Sequence, residues 1–143
     1  MKLKKIYDEI TKAYFKKGSK IIIGDWDDSE IGVTTDGFKM YFLPVDKFIF
    51  DVEKLLRGRE KINMSAFKEP RDLKEVFKTN EIRKIKSMTC VKIDEKWVDT
   101  KNLSNFDEPT FKTTDSPYSA IYLYELDEVV GFVMPVRVKE EEE

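Results

Sequence analysis

Residues 20–43 read KIIIGDWDDSEIGVTTDGFKMYFL, and their pattern decides the fold class. Three short runs, 20–24, 31–35 and 38–43, are rich in β-branched or aromatic side chains. Between them lie Asp25-Trp26-Asp27-Asp28-Ser29 and Thr35-Asp36-Gly37. Short apolar runs bounded by turn residues are strands joined by hairpins. Asp-Gly reaches positive φ at little steric cost, so 35–37 is expected to be a tight turn or bulge. Pro44 stops the third strand.

Before this meander, Leu3, Ile6, Tyr7, Ile10, Ala13 and Tyr14 recur at spacings of three and four, one apolar stripe of a helix that ends at Gly18. Lys2, Lys5, Lys12 and Lys16 form a second stripe, interrupted by Glu9. After Pro44 a second helix is expected, capped by Asp46, with Phe48, Ile49, Val52, Leu55 and Leu56 inward and Gly58 closing it. The run Phe48-Ile49-Phe50 is also compatible with a strand. Residues 59–82 are less regular, with a short helix expected from 72 to about 79 that turns Leu73, Val76 and Phe77 inward. Over 84–93, Ile85, Ser87, Thr89, Val91 and Ile93 alternate with lysines, Met88 and Cys90, which reads as one strand near a sheet edge. Residues 97–106 are ambiguous. Residues 110–114, 118–126 and 129–136 read as three strands, with Asp127-Glu128 at the last turn. The expected class is therefore α+β, an antiparallel sheet with two or three packed helices. With no evident linker, a single domain over 1–138 is expected, followed by an acidic tail over 139–143.

Composition narrows the function. At 143 residues, with 41% hydrophobic, 13% aromatic and 38% charged side chains, the chain can form one globular core. No apolar run is long enough to span a membrane or to act as a secretory leader, so a cytoplasmic protein is expected. There is no histidine and one cysteine, Cys90. That removes the common His-based nucleophile pairs, an internal disulfide and a thiolate zinc cage. Net charge is −2, but residues 1–20 carry seven lysines against Asp8 and Glu9, and 57–86 carry ten basic against five acidic residues. Residues 93–128 reverse this, with nine acids against three lysines. Lysine outnumbers arginine 21 to 5, so bidentate arginine recognition is not emphasised.

The candidate chemical motifs reduce to structure. Asp25, Asp27, Asp28 and Glu30 lack the alternating ligand spacing of a calcium loop and read as a polar hairpin turn. Ser65-Ala66-Phe67-Lys68 matches a Ser-x-x-Lys dyad without its companion motifs. Asn63-Met64-Ser65 and Asn102-Leu103-Ser104 match glycosylation acceptors in a chain that lacks a leader signal. Cys90 reads as a small buried hydrophobe. Trp26, Trp97, Tyr118, Tyr122 and Tyr124 read as packing residues, or as a stacking surface for single-stranded nucleic acid or a peptide. No catalytic group, metal site or cofactor is expected, so the chain does not read as an enzyme.

Two stretches carry a resemblance. Val33-Thr34-Thr35-Asp36-Gly37-Phe38-Lys39-Met40 is similar to the Ala-Thr-Asp-Gly-His-Arg-Leu segment of bacterial DNA sliding clamps, the β subunit of the replicative polymerase. Val133-Met134-Pro135-Val136-Arg137-Val138 resembles the Met-Pro-Met-Arg-Leu ending of that family. Leu43-Pro44-Val45-Asp46-Lys47 resembles the start of the clamp's pore helix, and Asp115-Ser116-Pro117 the run into its final strands. The likeness covers about 1–57 and 107–138, leaving 59–96 as an insertion. The departures are Phe38 and Lys39 in place of histidine and arginine, and one clamp domain instead of three. The short, lysine-biased form suggests a phage-encoded protein.

The resemblance implies a groove that receives short hydrophobic peptides of replication or host proteins. Its lining would be Thr35, Gly37, Lys39, Met40, Pro44, Ile49, Met134, Pro135 and Arg137. The expectation is a non-catalytic interaction module. One alternative is an oligomeric ring clamp, a homo-oligomer with Lys2, Lys5, Lys12 and Lys16 facing duplex DNA. Another is a small inhibitor of a host defence or polymerase system that uses its acidic 93–128 face.

Overall fold

The computed structural model describes residues 1–138; the acidic tail expected over 139–143 lies outside the described residues. The fold is α+β with antiparallel sheets, as the sequence predicts. The chain divides into two compact units, Lys2–Lys68 and Met1 together with residues from 69 onward. The boundary falls inside the stretch 59–96 that has no counterpart in the clamp resemblance.

In the N-terminal unit, α1 (Leu3–Phe15) buries Ile6 and Ile10 completely. Its end is set by Lys16, whose N–H turns back to the carbonyls of Lys12 and Ala13, and Gly18 follows at φ 82°. Strands β1 (Ile22–Asp25), β2 (Glu30–Thr34) and β3 (Lys39–Pro44) form the expected meander, β1 and β3 each antiparallel to β2. Asp27 organises the first turn, its Oδ1 accepting the N–H groups of Ser29 and Glu30, both at 2.8 Å. Asp36 and Gly37, the latter at φ 81°, turn the chain into β3.

The second helix departs from expectation. Val45–Lys47 is a single 3-10 turn, Phe48 to Phe50 is not helical, and α2 spans only Val52–Leu56. The cause is local. Tyr7 packs edge-on against both Phe48 and Phe50, at ring separations of 6.2 and 5.5 Å. Its hydroxyl donates to the Lys47 carbonyl at 2.6 Å, taking an acceptor that a continuing helix would use. The cap is Asp51 rather than Asp46, accepting from the N–H groups of Glu53 and Lys54. Leu55 and Leu56 are buried as expected, whereas Ile49 is 71% exposed. Arg57 takes the left-handed conformation at φ 51°, with Gly58 next at φ 84°.

The C-terminal unit holds two antiparallel sheets. One has the order β10-β9-β8-β4 and the other β5-β6-β7. Their strands are β4 (Lys74–Val76), β5 (Lys78–Ile85), β6 (Met88–Ile93), β7 (Lys96–Asp99), β8 (Thr110–Thr113), β9 (Ile121–Glu125) and β10 (Glu128–Val133). The helix expected over 72–79 is therefore corrected to strand. The apolar spacing of Leu73, Val76 and Phe77 imitates a helical stripe, but Lys74, Glu75 and Val76 pair with Thr113, Lys112 and Phe111. Likewise 84–93 is not one strand. Ile85 pairs with Met88 across a two-residue turn in which Lys86 has φ 58°, and Cys90 joins Val91 and Ile93 among the buried residues. The ambiguous stretch 97–106 resolves into β7 and a 3-10 turn, Thr100–Leu103, capped by Asp99. The last hairpin turns at Leu126 and Asp127, one residue earlier than read.

Candidate functional site

The predicted groove residues divide between the two units, and each set has its own surroundings. In the N-terminal unit, Thr35 and Lys39 belong to a polar cluster that ties helix to sheet. Glu9 of α1 accepts from the Thr35 hydroxyl at 2.9 Å and from the Tyr41 hydroxyl at 3.0 Å. Lys39, only 8% exposed, donates to Asp36 at 2.7 Å and lies 3.6 Å from Glu9. Gly37 is exposed in the turn, and Met40 is buried, its sulfur against Gly32. These four serve the fold where they stand.

Pro44 and Ile49 sit elsewhere: Pro44 ends β3, and Ile49 lies in the middle of the non-helical segment Phe48 to Phe50 that packs on Tyr7. Val45 and Ile49 are exposed, and Phe48 and Phe50 are half-buried. The two phenylalanine rings meet at 5.5 Å, so with Tyr7 they form an aromatic triad open to solvent on one side. A hollow lies on each side of Phe50. The larger, about 600 Å³, is lined by Ile31, Val45, Phe48 and Val52 on its apolar side and by Asp25, Asp27, Asp28 and Lys61 on its polar side. The smaller, about 240 Å³, is lined by Tyr14, Phe15 and Leu55 with Lys54 beside them. Phe15 is 77% exposed, which extends the apolar surface onto the end of α1. The helical stripe expected from the sequence turned both Phe48 and Ile49 inward, and only the clamp resemblance put Ile49 in a groove; the run Phe48-Ile49-Phe50 after a proline is the sequence feature that marks this segment.

The acidic stretch 25–30 forms the hairpin turn between β1 and β2, organised by Asp27. Among the described residues no cluster of three or more acidic or cysteine side chains is arranged to hold a metal ion. Asp27 spends its carboxylate on the turn, and although burial works the other way, the Ser29 and Glu30 hydrogen bonds hold its pKa below the usual value. Lys68 lies 4.0 Å from the Trp26 ring centre, and Trp26 in turn stacks on Phe42 at 4.0 Å. Ser65 sits in the 3-10 turn Met64–Phe67, whose end Lys68 closes by donating its N–H to the Ser65 carbonyl at 3.5 Å.

In the C-terminal unit, Met134 is half-buried and Pro135 and Arg137 border a cleft of about 830 Å³. Trp97, Tyr118, Arg83 and Lys86 share its walls. The Arg137 guanidinium lies 4.7 Å from the Tyr118 ring centre and that of Arg83 lies 6.0 Å from Trp97. Tyr122 and Tyr124 are buried instead, and burial raises both phenol pKa values, that of Tyr124 further through its hydrogen bond to Glu69. Cys90 is fully buried and burial also raises its thiol pKa.

The lysines of the α1 stripe, Lys2, Lys5, Lys12 and Lys16, are exposed. No helix among the described residues is long and apolar enough to cross a membrane. No family model, no curated protein and no solved structure matches the chain.

Proposed function

We propose that the chain is a non-catalytic interaction module that docks a short hydrophobic peptide of a protein partner on segment 44–52. The observation that carries this reading is the Tyr7–Phe48–Phe50 triad, open to solvent between two hollows, with Ile49 71% exposed beside it. Contiguous exposed aromatic and aliphatic surface of this kind marks interaction sites, and amphipathic rings supply much of the binding energy there. The clamp resemblance supports this reading, since Pro44 and Ile49 are among the residues it implies for a peptide groove. It makes a replication or host protein the partner. Panning a random heptapeptide library against the protein tests the proposal. Peptides with apolar anchors should be enriched and should lose binding at least tenfold to Ile49→Asp and Phe48→Asp proteins that remain folded. Enriched peptides indifferent to both substitutions would sink the reading.

A second reading, the ring clamp, is favoured by the exposed lysine stripe of α1. Sedimentation equilibrium with and without duplex DNA separates the two. A closed multimer whose DNA binding weakens steeply with salt supports the ring; a monomer at high concentration removes it.

A further inference from the structure

Of the five aromatics singled out in the sequence, Trp97 and Tyr118 remain at the surface and line one cleft, that of the C-terminal unit. Its cations are arranged around them. Arg83 and Arg137 stand over the two rings, and Lys86 projects from the β5–β6 turn. Lys92 shares the carboxylates of Glu81 and Glu95 at 3.6 and 3.7 Å. No other described carboxylate lies within 4.0 Å of a cationic group of the cleft.

The cleft also has a buried charge at its base. Lys96 is 5% exposed, and its ammonium donates to the Thr113 hydroxyl at 2.5 Å and to the Thr114 carbonyl and Ser119 hydroxyl at 3.0 Å each. All three acceptors are neutral, so no carboxylate is hydrogen-bonded to the ammonium, although Asp94 and Asp115 lie near enough to act on it through space. A positive group fixed in a water-poor site projects its field further than one in solvent.

We propose that this cleft binds single-stranded nucleic acid, with a base stacked on Trp97 or Tyr118 and phosphates met by Arg83, Lys86 and Arg137. Aromatic faces flanked by guanidinium groups suit bases and phosphates together, and the cleft volume accommodates a few nucleotides. An extended acidic peptide suits it less well. Such a peptide would add a strand to the free edge of β7, but the Val136 N–H already donates to the Trp97 carbonyl there at 2.7 Å.

The test is titration of the full chain into a dye-labelled oligothymidylate of about 15 nucleotides, read for every variant by anisotropy of the dye and, where Trp97 is present, also by tryptophan fluorescence. Trp97 is half-buried and reports; Trp26 is 6% exposed and stacked on Phe42. Binding should fall about tenfold or more in Trp97→Ala and in Arg83→Ala/Arg137→Ala proteins with unchanged circular dichroism. Three phosphate contacts give a log–log salt slope of about −2. A Lys12→Glu/Lys16→Glu protein should bind as wild type. The proposal is overturned by no binding at low salt, by equal affinity for duplex DNA or for a polyglutamate peptide, or by loss only in the α1 variant. Because the cleft shares no residue with segment 44–52, failure here leaves the peptide-docking reading standing, and the reverse holds.

Discussion

Gly24 and Gly32 face each other across β1 and β2, and the space above the pair belongs to methionine side chains. A Cβ on Gly24 would lie 2.5 Å from Cγ of Met64 and 2.9 Å from the Ile62 carbonyl oxygen. The Ile62 N–H bonds the Ile23 carbonyl at 2.9 Å, so that backbone cannot retreat without losing a hydrogen bond. A Cβ on Gly32 meets mainly the sulfur of Met40 at 2.7 Å, the movable part of a flexible side chain. Gly24→Ala should therefore cost about 2 kcal/mol and Gly32→Ala clearly less. Urea midpoints of the two variants give the order directly; equal losses would contradict it.

The β9–β10 hairpin has an avoidable penalty. Leu126 and Asp127 both have positive φ, 51° and 64°, and Leu126 is 99% exposed. A two-residue turn of this conformation prefers Asn-Gly. Replacing Leu126-Asp127 by Asn-Gly should stabilise the protein by about 1 kcal/mol. Thermal unfolding would show a rise of several degrees; no rise would mean the turn is relaxed as it stands.

Lys96 predicts an alkaline signature. Burial lowers its pKa below the usual lysine value, so the unfolded chain holds this proton more tightly than the folded one. Its unfavourable contribution is full at neutral pH and fades as pH rises through the folded-state pKa towards 10.5. Stability relative to Lys96→Met should thus increase with pH in that window. At pH 7 the variant should still lose about 1–3 kcal/mol, because Thr113, Thr114 and Ser119 lose their donor. A difference between the two proteins that stays flat to pH 10.5 would count against the assignment.

Asp27 acts at the other end of the scale. Its folded-state pKa is lowered, so its contribution is present above the unfolded value of 3.8 and is lost as pH falls through the folded one. Asp27→Ala removes three hydrogen bonds from an exposed turn and should cost about 1 kcal/mol at neutral pH. The gap between wild type and variant should close in acid; a constant gap in chemical denaturation would show that the charge plays no part.

What the sequence made legible was what neighbours along the chain decide. The α1 stripe, the three-strand meander and the turn at Gly37 follow from local periodicity and turn chemistry. The helix expected at 72–79 failed because Lys74 and Val76 take partners near Thr113, beyond the reach of any local window. The β5–β6 hairpin was hidden because its turn uses Lys86 at φ 58° where glycine or asparagine is the usual signal. Of the groove residues implied by the clamp resemblance, Ile49 is exposed and Pro135 and Arg137 border the C-terminal cleft, whereas Met40 and Lys39 are interior. The outward position of Phe48 and the closeness of Arg83 to Trp97 are set by packing. No alternation records them.

The buried thiol of Cys90 has a practical consequence. Reaction at sulfur needs an accessible thiolate, and burial denies both access and ionisation. A cysteine installed at Ile49 or Tyr118 would therefore be alkylated alone in the native protein. Each proposed surface can carry a single dye, spin label or cross-linker without first mutating the natural residue. Slow labelling of Cys90 would then time the opening of the core, a clock built into the same molecule.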